Sequence, residues 1–553
     1  MSLTTRLDKA QILLEADEFV TRYNLHDSRD SIRKGALLAY DPHDYARIDG
    51  LTDAEITALQ NDKVELRESK AIVCCVLAGV LYVLLRVSFH SYDFLMFWQH
   101  SFGDLHSVLL VAIPLLEHPL AALLSNSIGR RRALCTASSL AIVRACLAIF
   151  LKSFRYWLRP GFAALLLDRL LAGVASATIS FNIPLYLAEY GPASIRGRAM
   201  MMWPMTLCGF DLLVRSASLS ASISLFRDVS WVHIIILPIA ALYILSLPHM
   251  ALDSPYQFMA RGHIATSLQT LYKTRSSNIV AARDLYRIYV ASSFESSRAN
   301  QSPRRVIISI TIMLIQVLMI PSELLTGHLL NSNATENVVR MTMVFSSCFA
   351  LSAISVVYSS IDHNQVGQRR FLFVLVLIIM QLLFLVIPFD FSSLAILIVS
   401  FCIQFMLSVV FSAVATVYAV EVLPYHCRDK AYAITVSVNS LVRVLVQIID
   451  AKFSNPNGYV RDLASFLVSC RAVQRYTVPV AFVVLYFFMR ETAKIPLEDM
   501  GRVFEARNRD LVLYQVRIVW PYFFRRYVLW RKVVLEPFEE SRYGNRTGAI
   551  ALD

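Results

Sequence analysis

The feature that most constrains this chain is a series of apolar blocks, each about 20 residues long, separated by polar stretches. A block of that length, coiled into a helix, crosses the ~30 Å hydrocarbon core of a bilayer. The blocks account for a composition that is 56% hydrophobic and only 17% charged. The chain is therefore predicted to be an all-α membrane protein that crosses the bilayer many times.

Twelve spans are predicted, at 71–97, 105–124, 133–152, 161–183, 199–222, 231–248, 305–330, 338–359, 371–389, 392–418, 430–450 and 475–490. Six spans precede and six follow a polar stretch, which is the arrangement of transporters built from two parallel halves. The predicted order is an N-terminal segment with a short amphipathic helix, a six-helix half, a central loop, a second six-helix half and a tail, at 1–70, 71–248, 249–304, 305–490 and 491–553.

The distribution of Lys and Arg predicts the orientation. With both termini inside, the inner loops hold 17 of these residues and the outer loops nine, the bias that the positive-inside rule expects. A glycosylation sequon at Asn333 also falls in an outer loop. The net charge of +12 is explained better by this bias and by anionic lipid than by nucleic acid.

Two polar regions carry local signals. Thr52 and Glu55 form a capping-box pattern, which predicts a short helix in the N-terminal segment. The tail from residue 505 combines aromatic and basic residues in VWPYFFRRYVLWRKVVL. It is expected either to lie along the inner membrane surface or to pack against the bundle.

The two halves repeat each other's motifs. IGRRRAL (128–134) follows the second span and VGQRRFLF (366–373) follows the eighth. PLYLAEYGPASIRGRA (184–199) and VYAVEVLPYHCRDKA (417–431) follow the fourth and tenth. Each half therefore places arginines and a glutamate at the same end of its spans.

These motifs resemble the sugar porter branch of the major facilitator superfamily, over roughly residues 71–505, and indicate a divergent member of fungal type. The family's patterns after spans 2, 4, 6 and 12, together with R-x-x-x-G in span 4, occur here in order. They read NSIGRR, PLYLAEYGPASIRGRA, LDSPY, RETAKIPLED and RLLAG. The resemblance implies the major facilitator fold, with twelve transmembrane helices in two six-helix halves.

The resemblance also implies a cytoplasmic gate in which arginines of one motif bind glutamates of another, because guanidinium binds carboxylate with two parallel hydrogen bonds. The implied gate residues are Gly129, Arg130, Arg131, Glu189, Arg196, Gly367, Arg369, Glu421, Arg428 and Glu491. Arg130 and Arg131 are expected to meet Glu189, Arg196 and the Glu491 region. Asn126 and Asn364 stand where the family has acidic residues, which predicts a looser gate.

Proton-coupled members pair an aspartate of span 1 with the arginine of span 4, and the resemblance assigns these roles to Asp93 and Arg169. An interfacial, solvated Asp93 is the alternative. Asp211 and Arg215, four residues apart, are expected to neutralise each other. The remaining solute-binding candidates are Gln316, Ser322, Glu323 and Asn439.

Most sugar-binding groups of the family are missing; the stacking tryptophan of span 10, for example, is absent from SAVAT (412–416). The expected function is a secondary transporter of a sugar-like or other small polar solute, with no cofactor and with protons as the driving ion. It is expected to be a monomer in the plasma membrane with both termini cytoplasmic. The alternative is a transport-deficient relative that acts as a nutrient sensor. No motif of an ATP-driven pump or of an enzyme is present.

Overall fold

The architecture was taken from a computed structural model of the chain. It describes residues 9–40, 48, 50–60, 67–89, 116–153, 162–191, 193–220, 230–250, 253–275, 277–297, 302–319, 336–362, 368–386, 394–453, 476–504, 508–525 and 529–531. Within these ranges the regular elements are helices, and none is a strand.

The first half contains six long helices. They are α4 (Arg67–Phe89), α5 (116–128), α6 (Arg130–Ser153), α7 (Phe162–Tyr190), α8 (Arg196–Ser220) and α9 (Ser230–Met250). The second half repeats the arrangement with α13 (Ser302–Leu318), α14 (Glu336–Ser360), α15 (Arg369–Val386), α16 (Leu394–Val422), α17 (Arg428–Phe453) and α18 (Tyr476–Phe488). Each of the twelve predicted spans overlaps one of these helices.

Five helices in the described ranges are long and apolar enough to cross a membrane, at Arg130–Phe150, Leu166–Tyr190, Val232–His249, Met341–Ser360 and Phe401–Val422. Their exposed faces remain apolar: Leu245 and Val356 are 71% and 67% exposed. An apolar residue facing outward is stable there only if hydrocarbon covers it. The fold therefore has a lipid-facing exterior.

Small residues let the helices of the first half pack closely. Ala133, Ala137, Ala141 and Ala145 recur every four residues on α6 and are fully buried. This stripe gives α6 extensive contact with α7 and α9. Close approach of small residues is the usual means of helix association in a bilayer, where hydrophobicity drives little.

The halves meet along α8 and α14, and α7 also contacts α16 and α17. We call one end of the bundle the arginine-rich end; there α5 meets α6, α7 meets α8, α15 begins, and α16 meets α17.

The central stretch, predicted to be a loop, is largely helical. It forms α10 (Pro255–Ala260), α11 (Ile264–Thr274) and α12 (Asn278–Ser297), while the N-terminal segment forms α1 (Lys9–Arg22), α2 (Arg29–Tyr40) and α3 (Asp53–Gln60). Apolar residues at helical spacing, such as Ile264, Leu268 and Leu271, bury one face of each short helix. The high polarity of this stretch masked that periodicity in the sequence.

The N-terminal helices pack onto the central ones. Gly35 of α2 lies so close to α12 that a Cβ there would be 2.7 Å from backbone atoms of Ala282 and Arg283. Phe19 of α1 contacts the rings of Tyr286 and Tyr289 on α12. Helix α3 begins with the expected capping box: Thr52 N donates to Glu55 Oε2 at 2.9 Å, and Glu55 N donates to Thr52 Oγ1 at 3.3 Å.

The tail packs against the bundle, which is one of its two expected arrangements. It forms α19 (Met500–Val503), α20 (Asn508–Tyr514), a π-helical turn (Gln515–Val519) and α21 (Trp520–Phe523). Leu511 and Val519 are buried, and Trp520 contacts Phe487 of α18 at a ring distance of 6.4 Å. Trp520 nevertheless stays 56% exposed, so one face of the tail packs on the bundle and another remains apolar and open.

Candidate functional site

The turn that presents Arg130 depends on a glycine. Gly129 adopts φ +94°, the left-handed region that suits glycine, and joins α5 to α6 without a loop. Gly129 N donates to Ser125 O at the end of α5, and Gly129 O accepts from Ala133 N at the start of α6. Arg130 therefore begins α6 with its side chain directed at the neighbouring helix ends.

Arg130 binds two carboxylates, one from each half. Its Nε and Nη2 donate to Glu189 of α7 at 2.9 and 2.7 Å. Nη2 also donates to Asp429 of α17 at 2.8 Å. The side chains of Arg130 and Glu189 are 1% and 4% exposed, so this network is desolvated.

Arg196 and Arg428 occupy corresponding positions in the two halves, and each pairs with a glutamate of the opposite half. Arg196, at the start of α8, donates to Glu421 of α16 at 3.3 Å. Arg428, at the start of α17, has its Nη1 3.8 Å from Glu189 Oε1 of α7. Glu421 also accepts from Arg369 Nη2 at 3.2 Å within its own half. We call these residues, Arg130, Glu189, Arg196, Arg369, Glu421 and Arg428, the arginine–glutamate cluster.

Aromatic rings complete the surroundings of Arg428. Its guanidinium carbon lies 5.8 Å from the ring centroid of Tyr256 and 5.9 Å from that of Tyr425, within cation–π range. Tyr256 belongs to α10, and its hydroxyl donates to Glu498 of the segment before the tail. The central helices and the C-terminal motif thus both contact the cluster.

Asp362 and Asp429 were missed in the sequence. Arg198 N donates to Asp362 Oδ2 at 2.8 Å, and Arg369 Nη2 lies 3.6 Å from Asp362 Oδ1. Both carboxylates belong to the second half: Asp362 follows α14, and Asp429 lies in the first turn of α17. In the sequence, these two aspartates are marked only by their nearness to motif positions. Asp362 precedes Asn364 by two positions, and Asp429 adjoins Arg428.

The environment of Asp429 keeps it ionised. Burial alone would raise the pKa of Asp429, but the charge of Arg130 and a hydrogen bond from Gln257 Nε2 hold that pKa below its ordinary value. Asp429 is therefore a charged partner of Arg130 at neutral pH.

Close packing of Gly197 brings Asp362 into place. A Cβ at Gly197 would lie 2.3 Å from Asp362 Oδ1 and 2.5 Å from Arg369 Nη2. Gly197, which follows Arg196 in the motif, is therefore required because side chains of the opposite half occupy the space beside it.

Glu491 was expected to lie with Arg130 and Arg131, but its carboxylate contacts the start of α15. Its Oε1 accepts from Arg369 N at 3.0 Å and its Oε2 from Arg370 N at 3.3 Å, so it caps the N-terminus of α15. Arg131 is half-buried, and it forms no ion pair with any residue that the structure describes. Of the adjacent arginines, Arg130 is the one that enters the cluster.

Two solute-binding candidates lie together in the second half. Gln316 of α13 is 4% exposed and donates from Nε2 to Ser412 Oγ of α16 at 2.6 Å. Asn439 of α17 donates to Met313 O, one turn earlier on α13, at 2.7 Å. Gln316 Oε1 is buried without a hydrogen-bond partner among the described residues. Such an acceptor suits a water or a solute hydroxyl.

Several predicted residues lie outside the described ranges, namely Asp93, Ser322, Glu323, Asn333 and Gly367. Arg169 is described: it lies on α7 and is 5% exposed. Its neighbour Asp168 pairs with Arg144 of α6 at 3.0 Å. Asp211 and Arg215 pair at 2.6 Å, as their spacing predicted.

Two six-helix halves, joined at one end by ion pairs, define a major facilitator fold. The same fold occurs in the proton:xylose symporter XylE bound to 6-bromo-6-deoxy-D-glucose, with a TM-score of 0.63 and 15% identity over 79% of this chain and 99% of that one. A double-tryptophan mutant of XylE, a xylose transporter from E. coli, gives a TM-score of 0.66 at the same identity and coverage.

The chain belongs to the family described as "Sugar (and other) transporter", whose sequence model matches residues 112–504. The sugar transport protein MST5 of Oryza sativa subsp. japonica is 30% identical over 150 residues. That alignment covers 26% of this chain and 27% of the rice protein. The protein is thus an integral, multi-pass member of a transporter family rather than an enzyme, and the resemblance to sugar porters is confirmed.

Proposed function

We propose that this protein is a secondary transporter that carries a sugar-like or other small polar solute across a membrane by alternating access, together with protons. The arginine-rich end then faces the cytoplasm with both termini. The proposed membrane is the plasma membrane, and the proposed functional unit is the monomer.

The observation that carries this proposal is the exchange of ion pairs between the halves. Arg196–Glu421 and Arg428–Glu189 run in opposite directions across the interface, and Arg130–Asp429 adds a third link. Buried ion pairs give up hydration for their mutual attraction, so their net stabilisation is small. The pairs can therefore hold the end closed and still separate when both ions regain water.

Gln316 and Asn439 support the proposal that the solute is polar. Their amides lie on adjacent buried helices, and Gln316 Oε1 offers an acceptor to a hydroxyl group. Ser322 and Glu323 follow six and seven residues after Gln316 in the sequence. We assign the solute site to this region of the second half.

Proton coupling requires a carboxylate whose access to water alternates between the two sides. The family resemblance implies Asp93 acting with Arg169. A second carboxylate, Glu117, is buried on α5 of the same half. Alternating access for the solute does not depend on which of these two carboxylates carries the proton.

Transport is tested in proteoliposomes that enclose a pH-sensitive dye. An inward proton gradient is imposed, and D-xylose, D-glucose, myo-inositol, sorbitol and lactate are supplied in turn. We expect the dye to report proton influx with one class of solute, and a Gln316→Ala variant to reduce the affinity for that solute. Gln11→Ala, at an exposed position on α1, serves as the matched control.

The proposal fails if tritiated forms of all five solutes stay outside the vesicles while one of them still binds the purified protein. Binding without uptake would instead support a nutrient receptor.

A further inference from the structure

Helix α5 carries a carboxylate that the motifs do not account for. Glu117 is 9% exposed and lies twelve residues before the Gly129 turn. At 1.5 Å per residue this places it about 18 Å from that end, near the middle of a ~30 Å hydrocarbon core. An ionisable side chain at that depth is expensive and points to a function.

The carboxylate fits against a glycine of α7. A Cβ at Gly173 would lie 1.7 Å from Glu117 Oε1 and 2.2 Å from its Cδ. Any larger residue at position 173 would occupy the place of the carboxylate. Gly173 is the last residue of the RLLAG pattern, so Arg169 lies one helical turn away on the same helix.

Other ionisable groups lie within the membrane-crossing parts of α4 to α7. They are Arg86 of α4, which interacts electrostatically with Glu117, His118 of α5, Arg144 of α6, and Asp168 and Arg169 of α7. Asp168 is neutralised by Arg144 at 3.0 Å. Arg86 in turn lies over the ring of Tyr82, with its guanidinium carbon 6.0 Å from the centroid. The charges here are therefore Arg86, which acts on Glu117, the further cation Arg169, and the closed Arg144–Asp168 pair.

This arrangement suits a group that is charged in one state and neutral in another. Ionised Glu117 is stabilised by Arg86, while protonated Glu117 can remain in the apolar interior without a partner charge. Water reaching it from either side supplies or accepts the proton: hydronium transfers H⁺ to a carboxylate oxygen of Glu117, and the O–H bond later breaks toward water on the other side.

We propose that Glu117 is the carboxylate that binds the coupled proton in this protein, with Arg86 as the cation that stabilises its ionised form. The inference rests on the proton coupling proposed above. It assigns the proton to span 2, next to the helix of Arg169, instead of to Asp93 in span 1.

The first test uses the proton alone. Infrared difference spectra of reconstituted protein, recorded while the pH is stepped, should contain the C=O band of a carboxylic acid that appears on acidification. The band should be absent in Glu117→Gln and shifted in Glu117→Asp. A band that is unchanged in Glu117→Gln overturns the assignment, whether or not any solute is transported.

The second test separates coupling from transport. With D-xylose or D-glucose as the tritiated probe, Glu117→Gln should lose uptake driven by a proton gradient but keep exchange between equal concentrations on both sides. Glu117→Asp should retain gradient-driven uptake, which shows that a titratable group and not a fold defect is responsible. Asp53→Asn, which removes an exposed carboxylate on α3 outside the spans, should leave both activities unchanged.

Gradient-driven uptake that survives in Glu117→Gln and disappears in Asp93→Asn would overturn the proposal. If the wild-type protein transports neither sugar, the proposed function fails for these probes, and the infrared band still decides the role of Glu117.

Discussion

Arg196 and Glu421 belong to opposite halves of the bundle, yet their side chains lie 3.3 Å apart and are 2% and 0% exposed. Glu421 also accepts from Arg369 and from Thr492 Oγ1, at 3.2 and 2.7 Å. A single buried carboxylate thus joins the first half, the second half and the segment after α18. Any motion that separates the halves at this end must break its bond to Arg196.

Replacing Arg196 with Ala should favour the open state of the arginine-rich end. Breaking one side of a buried ion pair costs about 3 kcal/mol, at the lower end of the usual range, because Glu421 keeps Arg369. The half-buried Cys427, next to Arg428, reports the opening. We expect maleimide to label Cys427 faster in Arg196→Ala than in wild type, as measured by peptide mass spectrometry.

Arg132 provides the control for that experiment, since it is exposed at the start of α6, at the same arginine-rich end of the bundle. Arg132→Ala should leave the labelling rate unchanged. Equal acceleration in both variants would mean that loss of positive charge, not loss of the pair, opens this end.

The Arg130–Asp429 link of the closed end should be insensitive to moderate acid. Because the pKa of Asp429 is lowered from 3.8, its stabilising contribution is present above that value and is lost only as the pH falls through the still lower native pKa. Labelling of Cys427 should therefore be constant between about pH 5 and about pH 7.5, after correction for thiol reactivity. Asp429→Asn should raise it across that whole interval. A rise in the wild type as the pH falls from about 7.5 to about 5 would contradict the ionised state of Asp429.

Gly197→Ala should destabilise the contact between the halves. The added methyl would overlap Asp362 Oδ1 and Arg369 Nη2, and overpacking of this kind costs about 1–3 kcal/mol. The expected result is a lower thermal midpoint in detergent together with faster labelling of Cys427.

Gly209→Ala is a matched control on the same helix. The nearest atom to a Cβ there is Leu351 Cδ1 at 4.0 Å, so the substitution should be tolerated. A loss of stability in Gly209→Ala as large as that in Gly197→Ala would show that the contact with Asp362 and Arg369 is not the cause.

Gly35→Leu should detach the N-terminal helices from the central ones. The backbone of α12 lies 2.7 Å from the position of the new Cβ and cannot move as a flexible side chain can. Hydrogen exchange in α1 and α2 should increase while exchange in α6 and α7 stays the same. Leu14→Ala, at a position that is 60% exposed on α1, should change neither. Loss of protection throughout the bundle would mean that the N-terminal helices support the whole fold.

The positions of the helices, and the residue types that gather at one end of the bundle, could be predicted from the sequence. Apolar blocks of membrane-crossing length have few alternatives to helices in a bilayer, so each of the twelve predicted spans overlaps a helix. The repeated Arg and Glu motifs, such as Arg130, Glu189 and Arg428, likewise indicated a charged cluster before any coordinates.

Which charges meet between the halves could not be predicted from the sequence. Arg196 binds Glu421 and Arg130 binds Asp429 because helix ends from separate halves converge, and residues more than 200 positions apart have no local signal of that contact. The helical central stretch and the carboxylate of Glu117 against Gly173 belong to the same category. Spacing along one helix can be read from the sequence, but the approach of one helix to another depends on the packing of the whole bundle.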